Sequence, residues 1–231
     1  MYGRDYDGKE LNFEASGGLW HSSLVMQDKE TDSYWSIMTG EALSGPFKGT
    51  RMDELPSGRK VQWKDWIAEH PDTLVLSVVD EESGEAIQHV ARNPYEKYFG
   101  SDEGFRGSEA ADDRLPTKEP VFAFELDDTA YAAPFGGFQG SGASFDAGGQ
   151  AVFLYRPDGV EIFHSSAAFV AASGRFEKQG DTWLHQPSGA SFDPESGGFA
   201  ADAGDAVRPL GGFDTFWFNW SMVHDRSEIL K

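Results

Sequence analysis

The stretch Trp63-Lys64-Asp65-Trp66-Ile67-Ala68-Glu69-His70, closed by Leu76, occurs a second time as Trp217-Phe218-Asn219-Trp220-Ser221-Met222-Val223-His224, closed by Leu230. Both tryptophans, the histidine and the leucine recur at one offset of 154 residues. Four matches in a single register describe a chain built from two related units. Trp63, Trp66, Ile67 and His70 fall at i, i+3, i+4 and i+7, one face of a two-turn helix. Pro71 ends that helix, because the residue before a proline is pushed out of helical geometry.

The duplication extends beyond the helices. Asp158-Gly159 with Ile162-Phe163 echoes Asp7-Gly8 with Leu11 and Phe13, and Asp-Gly is a hairpin-turn signal. Asp181-Thr182-Trp183 followed by Gly189 echoes Ser33-Tyr34-Trp35 followed by Gly40. The units run over 1–111 and 112–231, packed as one compact domain. They are unequal. Glu119 to Pro157 precede the Asp-Gly turn of the second unit, whereas only Met1 to Tyr6 precede that of the first. The first unit therefore lacks a strand series comparable to Val121–Tyr155. Its N-terminal sheet edge is left open, a surface for self-association.

Strand patterns fill most of the chain. Leu11 with Phe13, Leu24–Met26, Tyr34–Met38, Leu74–Val79 and Ile87–Ala91 read as strands of the first unit. Val121–Leu126, Thr129–Ala132, Ala151–Tyr155 and Val160–Phe163 read as strands of the second. Asp28–Ser33, Asp127-Asp128 and Pro157-Asp158-Gly159 are turns between them. Residues 92–120 are irregular, and Gly136–Gly149 reads as a Gly- and Ser-rich linker. Asp214-Thr215 stands where an N-cap of the second Trp helix belongs. The fold class is α+β, mainly antiparallel β, with each unit ending in a short Trp-bearing helix and a strand.

Charge narrows the partners. The 231 residues carry 39 acids against 19 bases, a net charge of −20. Phosphate binding needs clustered Lys and Arg, so nucleic acid is excluded as a partner, and an anionic membrane surface is disfavoured. The acids are spread rather than blocked, which favours adaptation to high salt over a focused site for cations or a basic partner. No apolar run is long enough to span a membrane. With no Cys, disulfides, thiolate metal sites and Cys nucleophiles are absent from the chain. The N-terminus has neither a charged nor an apolar signal region, so the chain as given reads as cytoplasmic.

The site candidates are few. No HExxH pair, Gly-x-Ser-x-Gly elbow or phosphate loop occurs. His21 and Met26 are the candidate soft-metal pair. His21, Trp35, Tyr95, Tyr98 and Arg114 are candidates for a ligand-binding face, against the commoner use of such aromatics in packing. Asp112-Asp113 before Arg114 reads as a salt-bridged loop, with a general acid/base pair as the alternative. Trp63, Trp66, His70, Trp217, Trp220 and His224 are structural. The two histidines sit at helix C-termini, where the helix dipole favours a cation. No cofactor is implied.

Several segments resemble one family. They are Gly17–Met26, Glu30–Trp35, Thr39–Ala42, Gly45–Thr50 and Trp63–Thr73, then Asn93–Tyr95 with Tyr98, and Asp112–Glu119. Together they are similar to the domain of unknown function family 3179, and the acidity resembles its haloarchaeal members. The resemblance covers nearly the whole chain and is looser after Ala133. It implies an upstream segment with a Cys-Pro-Leu-Cys motif, which would fall before Tyr2. The chain thus reads as an N-terminally truncated or divergent member, extracytoplasmic if such a segment is missing. The family supplies no activity to carry over.

The functional expectation is a non-catalytic binding or structural module for an unknown small ligand or protein. One alternative is a metal-handling or redox-associated protein that has lost its Cys centre. The other is a hydrolase using His and Asp residues.

Overall fold

A computed structural model describes residues 1–56, 58, 60–75, 82–84, 95–199 and 201–231. Leu76, most of the strand expected over Leu74–Val79, the strand over Ile87–Ala91, and Asn93-Pro94 lie outside the described residues.

Turn chemistry sets the hairpins. Asp7 and Gly8 both take positive φ (51° and 72°) and join β1 (Asp5–Tyr6) to β2 (Lys9–Glu10). His21 and Ser22 do the same (47° and 61°) between β3 (Phe13–Trp20) and β4 (Ser23–Asp28). Paired positive φ matches the right-handed twist of the flanking strands. β5 (Tyr34–Ser36) and β6 (Ala42–Ser44) complete an antiparallel sheet in the order β3-β4-β5-β6. Then come α1 (Trp63–Glu69) and α2 (Glu96–Phe99).

The second half opens with β7 (Pro120–Leu126) and β8 (Thr129–Pro134), turned by Asp127-Asp128 at φ 48° and 62°. β9 (Ala143–Ala147), β10 (Gln150–Tyr155) and β11 (Ala167–Ala171) follow. Next are the hairpins β12 (Arg175–Gln179) with β13 (Thr182–Gln186), and β14 (Phe192–Asp193) with β15 (Gly198–Phe199). The chain closes through β16 (Arg208–Pro209), β17 (Phe213–Phe216), α3 (Trp217–Val223) and β18 (Glu228–Ile229). One sheet runs β17-β7-β8-β18, with β18 parallel to β8, and another runs β16-β11-β10-β9. The structure is β-rich and mostly antiparallel, with three short α-helices among the described residues.

Aromatic cores sit behind these sheets. Trp35 is fully buried with Tyr6, Phe13 and Phe47 around its ring, and its Nε1 donates to Asp28 Oδ2 at 2.7 Å. Phe153 lies against Phe176, Trp183, Phe192 and Phe199. Met38, from the first half, packs with Val121, Trp217 and Trp220 from the second. The apolar core therefore runs across the boundary between the expected units.

Three expectations fail, each for a local reason. The linker expected over Gly136–Gly149 contains β9, whose residues 143–147 pair with β10. Phe145 there packs against the core, an apolar position hidden among Gly and Ser. Val160–Phe163 forms no strand, because Arg156 takes up the Glu161 and His164 carbonyls instead; the return strand is β11. Asp214-Thr215 does not cap α3. Phe216 is the N-cap residue, with no side-chain bond, and the Asp214 carboxylate is turned to Ser166.

The Asp28 turn should carry measurable stability. Burial disfavours its ionised form, but bonds from Trp35 and from Thr31 together outweigh that and hold the carboxyl below its usual range. A depressed pKa gives stability that is present above the unfolded value and fades as pH falls through the folded one. Asp28→Ala is expected to cost about 3 kcal/mol by urea unfolding at neutral pH, since it strands the buried indole N–H. A loss below about 1 kcal/mol would show that the turn is held by other contacts.

Candidate functional site

Two segments distant in sequence face each other across a cleft of about 740 Å³. One wall is the strap leading from Leu55 into α1. The other comes from the turn after β10, the start of β11, and the Pro209–Asp214 stretch. The strap is tied down at Lys60. Its N–H donates to Ser165 Oγ at 2.7 Å, and its carbonyl accepts the Ser165 N–H at 2.8 Å.

Ser166 and Asp214 form part of the floor, and the buried Arg156 lies behind them. Arg156 follows Val152 and Leu154 at alternate positions, so strand periodicity turns it toward the same interior. Its side chain is 1% exposed. The guanidinium lies over the Phe135 ring at 4.3 Å and donates to the carbonyls of His164 and Glu161. Its Nη1 is 3.9 Å from Asp214 Oδ1. Asp214, on β17, accepts Ser166 Oγ at 2.5 Å and Ser166 N–H at 2.9 Å.

Burial dominates the electrostatics of this pair. It raises Asp214 above the ordinary carboxylate range, against the pull of Ser166, Arg156 and Lys60. It lowers Arg156, against the pull of Asp214. Both shifts run toward the neutral forms, so desolvation outweighs mutual attraction. Groups whose pKa values are shifted beside a cleft are functional-site candidates. Ser166 spends its hydroxyl proton on Asp214 and keeps lone pairs for a ligand donor. Val61, Val160, Leu210 and Phe213 supply apolar wall for a ligand body.

A second polar cluster bridges the two halves. Arg51 pairs with Glu125 on β7, and Glu125 Oε1 lies 3.4 Å from His224 Nε2 at the end of α3. Tyr2 and Glu54 adjoin it, joined by an isolated bridge, and burial raises both of their pKa values. Tyr2 Oη, Glu54 Oε1 and His224 Nε2 are buried without a hydrogen-bond partner. The surroundings of His224 do not favour the expected cation. Burial pulls its imidazole below the usual value, with Glu125 opposing.

The other expected site residues are scattered. His21 is exposed at the tip of the β3–β4 turn, its ring edge-on to Trp20 with centroids 4.2 Å apart, while Met26 packs with the Trp35 core. Trp35 is a core staple. Tyr95 is 56% exposed at the start of α2. Tyr98 packs on Phe105 and Phe216, with the Lys118 ammonium over its ring at 4.2 Å. Arg114 donates to Asp112 and to the Ser227 carbonyl beside Trp217, the salt-bridged loop expected there. None of these six residues lines the 740 Å³ cleft. Among the described residues, no group of three or more His, Asp or Glu is arranged to hold a metal ion. No described helix is long and apolar enough to cross a membrane.

Lys60, Arg156, Ser166 and Asp214 escaped the sequence reading. One signal was present: Asp214 follows Lys60 by the same 154 residues that separate the tryptophans.

Fold and cleft together define a β-rich protein with a buried ionic group under a strap. The family described as Protein of unknown function (DUF3179) matches residues 1–227, so the chain belongs to that family. No curated protein matches it, and no solved structure does.

The His224 cluster predicts a pH response. With its folded pKa below the unfolded value of about 6.5, His224 subtracts stability as pH falls through that value toward the folded one. Melting temperature should drop between pH 7.5 and 5.5, and His224→Gln should flatten that slope. An unchanged slope in the variant would remove His224 from the account.

Proposed function

We propose that this protein is a non-catalytic binding module that takes a small organic ligand in the cleft between the strap and β17. The carrying observation is the Asp214–Ser166 pair that lines a cleft of about 740 Å³, backed from the interior by the buried Arg156. Desolvated ionic groups beside apolar walls fit a site that orients one polar end of a ligand and buries the remainder. The volume is within the range of small-molecule pockets, roughly 300–1,000 Å³.

In this reading the chain is two pseudo-repeated units, 1–111 and 112–231, packed as one domain. Matching hydrogen bonds support the repeat. Ser36 N–H donates to the Glu41 carbonyl at 2.9 Å and Gly40 N–H to the Ser36 carbonyl at 2.9 Å. His185 with Ala190, and Gly189 with His185, repeat both bonds at 2.8 Å. The buried cross-strand pair Val25 and Ser36 has its counterpart in Phe176 and His185. The cleft then lies where the strap of the first unit meets the equivalent β17 of the second.

A hydrolase is the second reading, favoured because His164, Ser165, Ser166 and Asp214 line the same cleft. One experiment separates the two. A metabolite library is screened by thermal shift against wild type and Ser166→Ala, beside a panel of chromogenic esters. A ligand at a hundred times its Kd should raise the melting temperature by roughly 5 to 10 °C, and Ser166→Ala should lose most of that shift. Ester turnover abolished in Ser166→Ala would replace the binding reading with the hydrolase. Ligand shifts that persist unchanged in the variant would place the site elsewhere.

A further inference from the structure

The two Trp helices match in form and differ in cover. Each is entered from an extended residue, Gln62 at ψ 144° and Phe216 at ψ 148°. Each closes with a histidine N–H on the second Trp carbonyl, and each holds the Trp and His rings 4.1 Å apart. Yet α3 buries Trp217, Phe218, Trp220 and Ser221, while α1 buries no residue. Trp63 is 52% exposed where Trp217 is 0%. Trp217 is covered by β7, whose Val121 and Ala123 share its core cluster.

The strands repeat this contrast. β11 begins at Ala167, 154 residues after β3 begins at Phe13, and it is flanked by β10 and β16. β3 is the longest strand among the described residues, yet it pairs there with β4 alone. The backbone groups on its other side can be identified. The Asn12 carbonyl accepts the Lys29 N–H, and the Asp28 N–H turns away to Ser33. Antiparallel alternation then turns the N–H and C=O of Phe13 and Ala15 outward. Ala15, Leu19 and the intervening glycines are exposed.

We propose that the outer edge of β3 is a docking site for an extended apolar strand of the β10 type, supplied by a separate polypeptide. The proposal rests on the two-unit reading, which says what belongs there. The β11 counterparts of Phe13 and Ala15 are Ala167 and Phe169, and they pair antiparallel with Tyr155 and Phe153 of β10. The docked strand therefore runs antiparallel to β3 and sets a large apolar residue opposite the small, exposed Ala15. Its backbone takes up the outward groups of Phe13 and Ala15, as in strand addition to a sheet edge. Its chemistry is neutral or basic, since the chain carries a net charge of −20.

The test uses the full chain and a synthetic peptide spanning residues 149–157 of this sequence, which holds β10, beside a scrambled control. Amide exchange is followed by NMR, and binding by anisotropy of the labelled peptide. The peptide should slow exchange at Ala15 at least tenfold. Ala15→Pro removes the outward N–H without touching the β4 ladder, so it should abolish binding while the far-UV spectrum is unchanged. A scrambled peptide that binds equally, or binding retained by Ala15→Pro, overturns the proposal. So does an Ala15 amide already protected without peptide, which would mean that the chain or a second copy covers the edge. The cleft reading is independent of each result, because none involves Ser166 or Asp214.

Discussion

Arg156 is the constraint around which the second half is arranged. An arginine 1% exposed must find partners for its donors, and it finds them in two carbonyls of the segment that follows β10. Those bonds bend residues 157–164 into a loop instead of a return strand. The loop delivers Ser165 and Ser166 to the edge of the cleft, where Ser165 catches the strap and Ser166 binds Asp214. One buried side chain thus links the strand order, the cleft and the docking of α1. Burial of the ion pair opposes folding in both partners, which makes it a feature held for specificity or for function rather than for stability.

The same helical motif serves two different environments. In α3 the two tryptophans are core residues, closed over by β7 and by the loop whose Asp112 carbonyl accepts the Trp217 indole N–H. In α1 they form one side of an exposed strap beside the cleft. Identical local spacing therefore fixes helix shape and the Trp–His contact, while burial is decided by which strands lie alongside. Polar groups from both halves meet again at Arg51, Glu125 and His224, so the contact between the halves is ionic as well as apolar.

Local signals were legible in the sequence, and long-range ones were not. The turns at Asp7-Gly8 and Asp127-Asp128, the helix at Trp63 and the strands at Val121 and Ala151 all follow from nearest-neighbour chemistry. β9 was hidden because only Phe145 marks it among Gly and Ser, and its pairing comes from β10 rather than from its own propensity. The cleft was hidden for a related reason. Its floor gathers residues 166 and 214, with Arg156 behind them, and none of the three belongs to a short motif. Asp214 near a helix start looked like a cap, since sequence alone cannot show that its carboxylate faces a buried guanidinium. Trp35 and Tyr98 pack against other aromatic rings that are distant in sequence, contacts that no local pattern announces. Tyr95, 56% exposed at the start of α2, belongs to no short motif that would group it with the other aromatics into one face.

The central claim is that Arg156 and Asp214 act as one buried unit. A double-mutant cycle on Arg156→Met and Asp214→Asn, read by urea unfolding at pH 7, tests it most directly. Each single change strands a buried polar partner and should cost about 3 to 5 kcal/mol, while the double variant should cost far less than the two together. Additive losses within about 0.5 kcal/mol would mean that the two groups do not interact, and the account of the cleft floor would be contradicted.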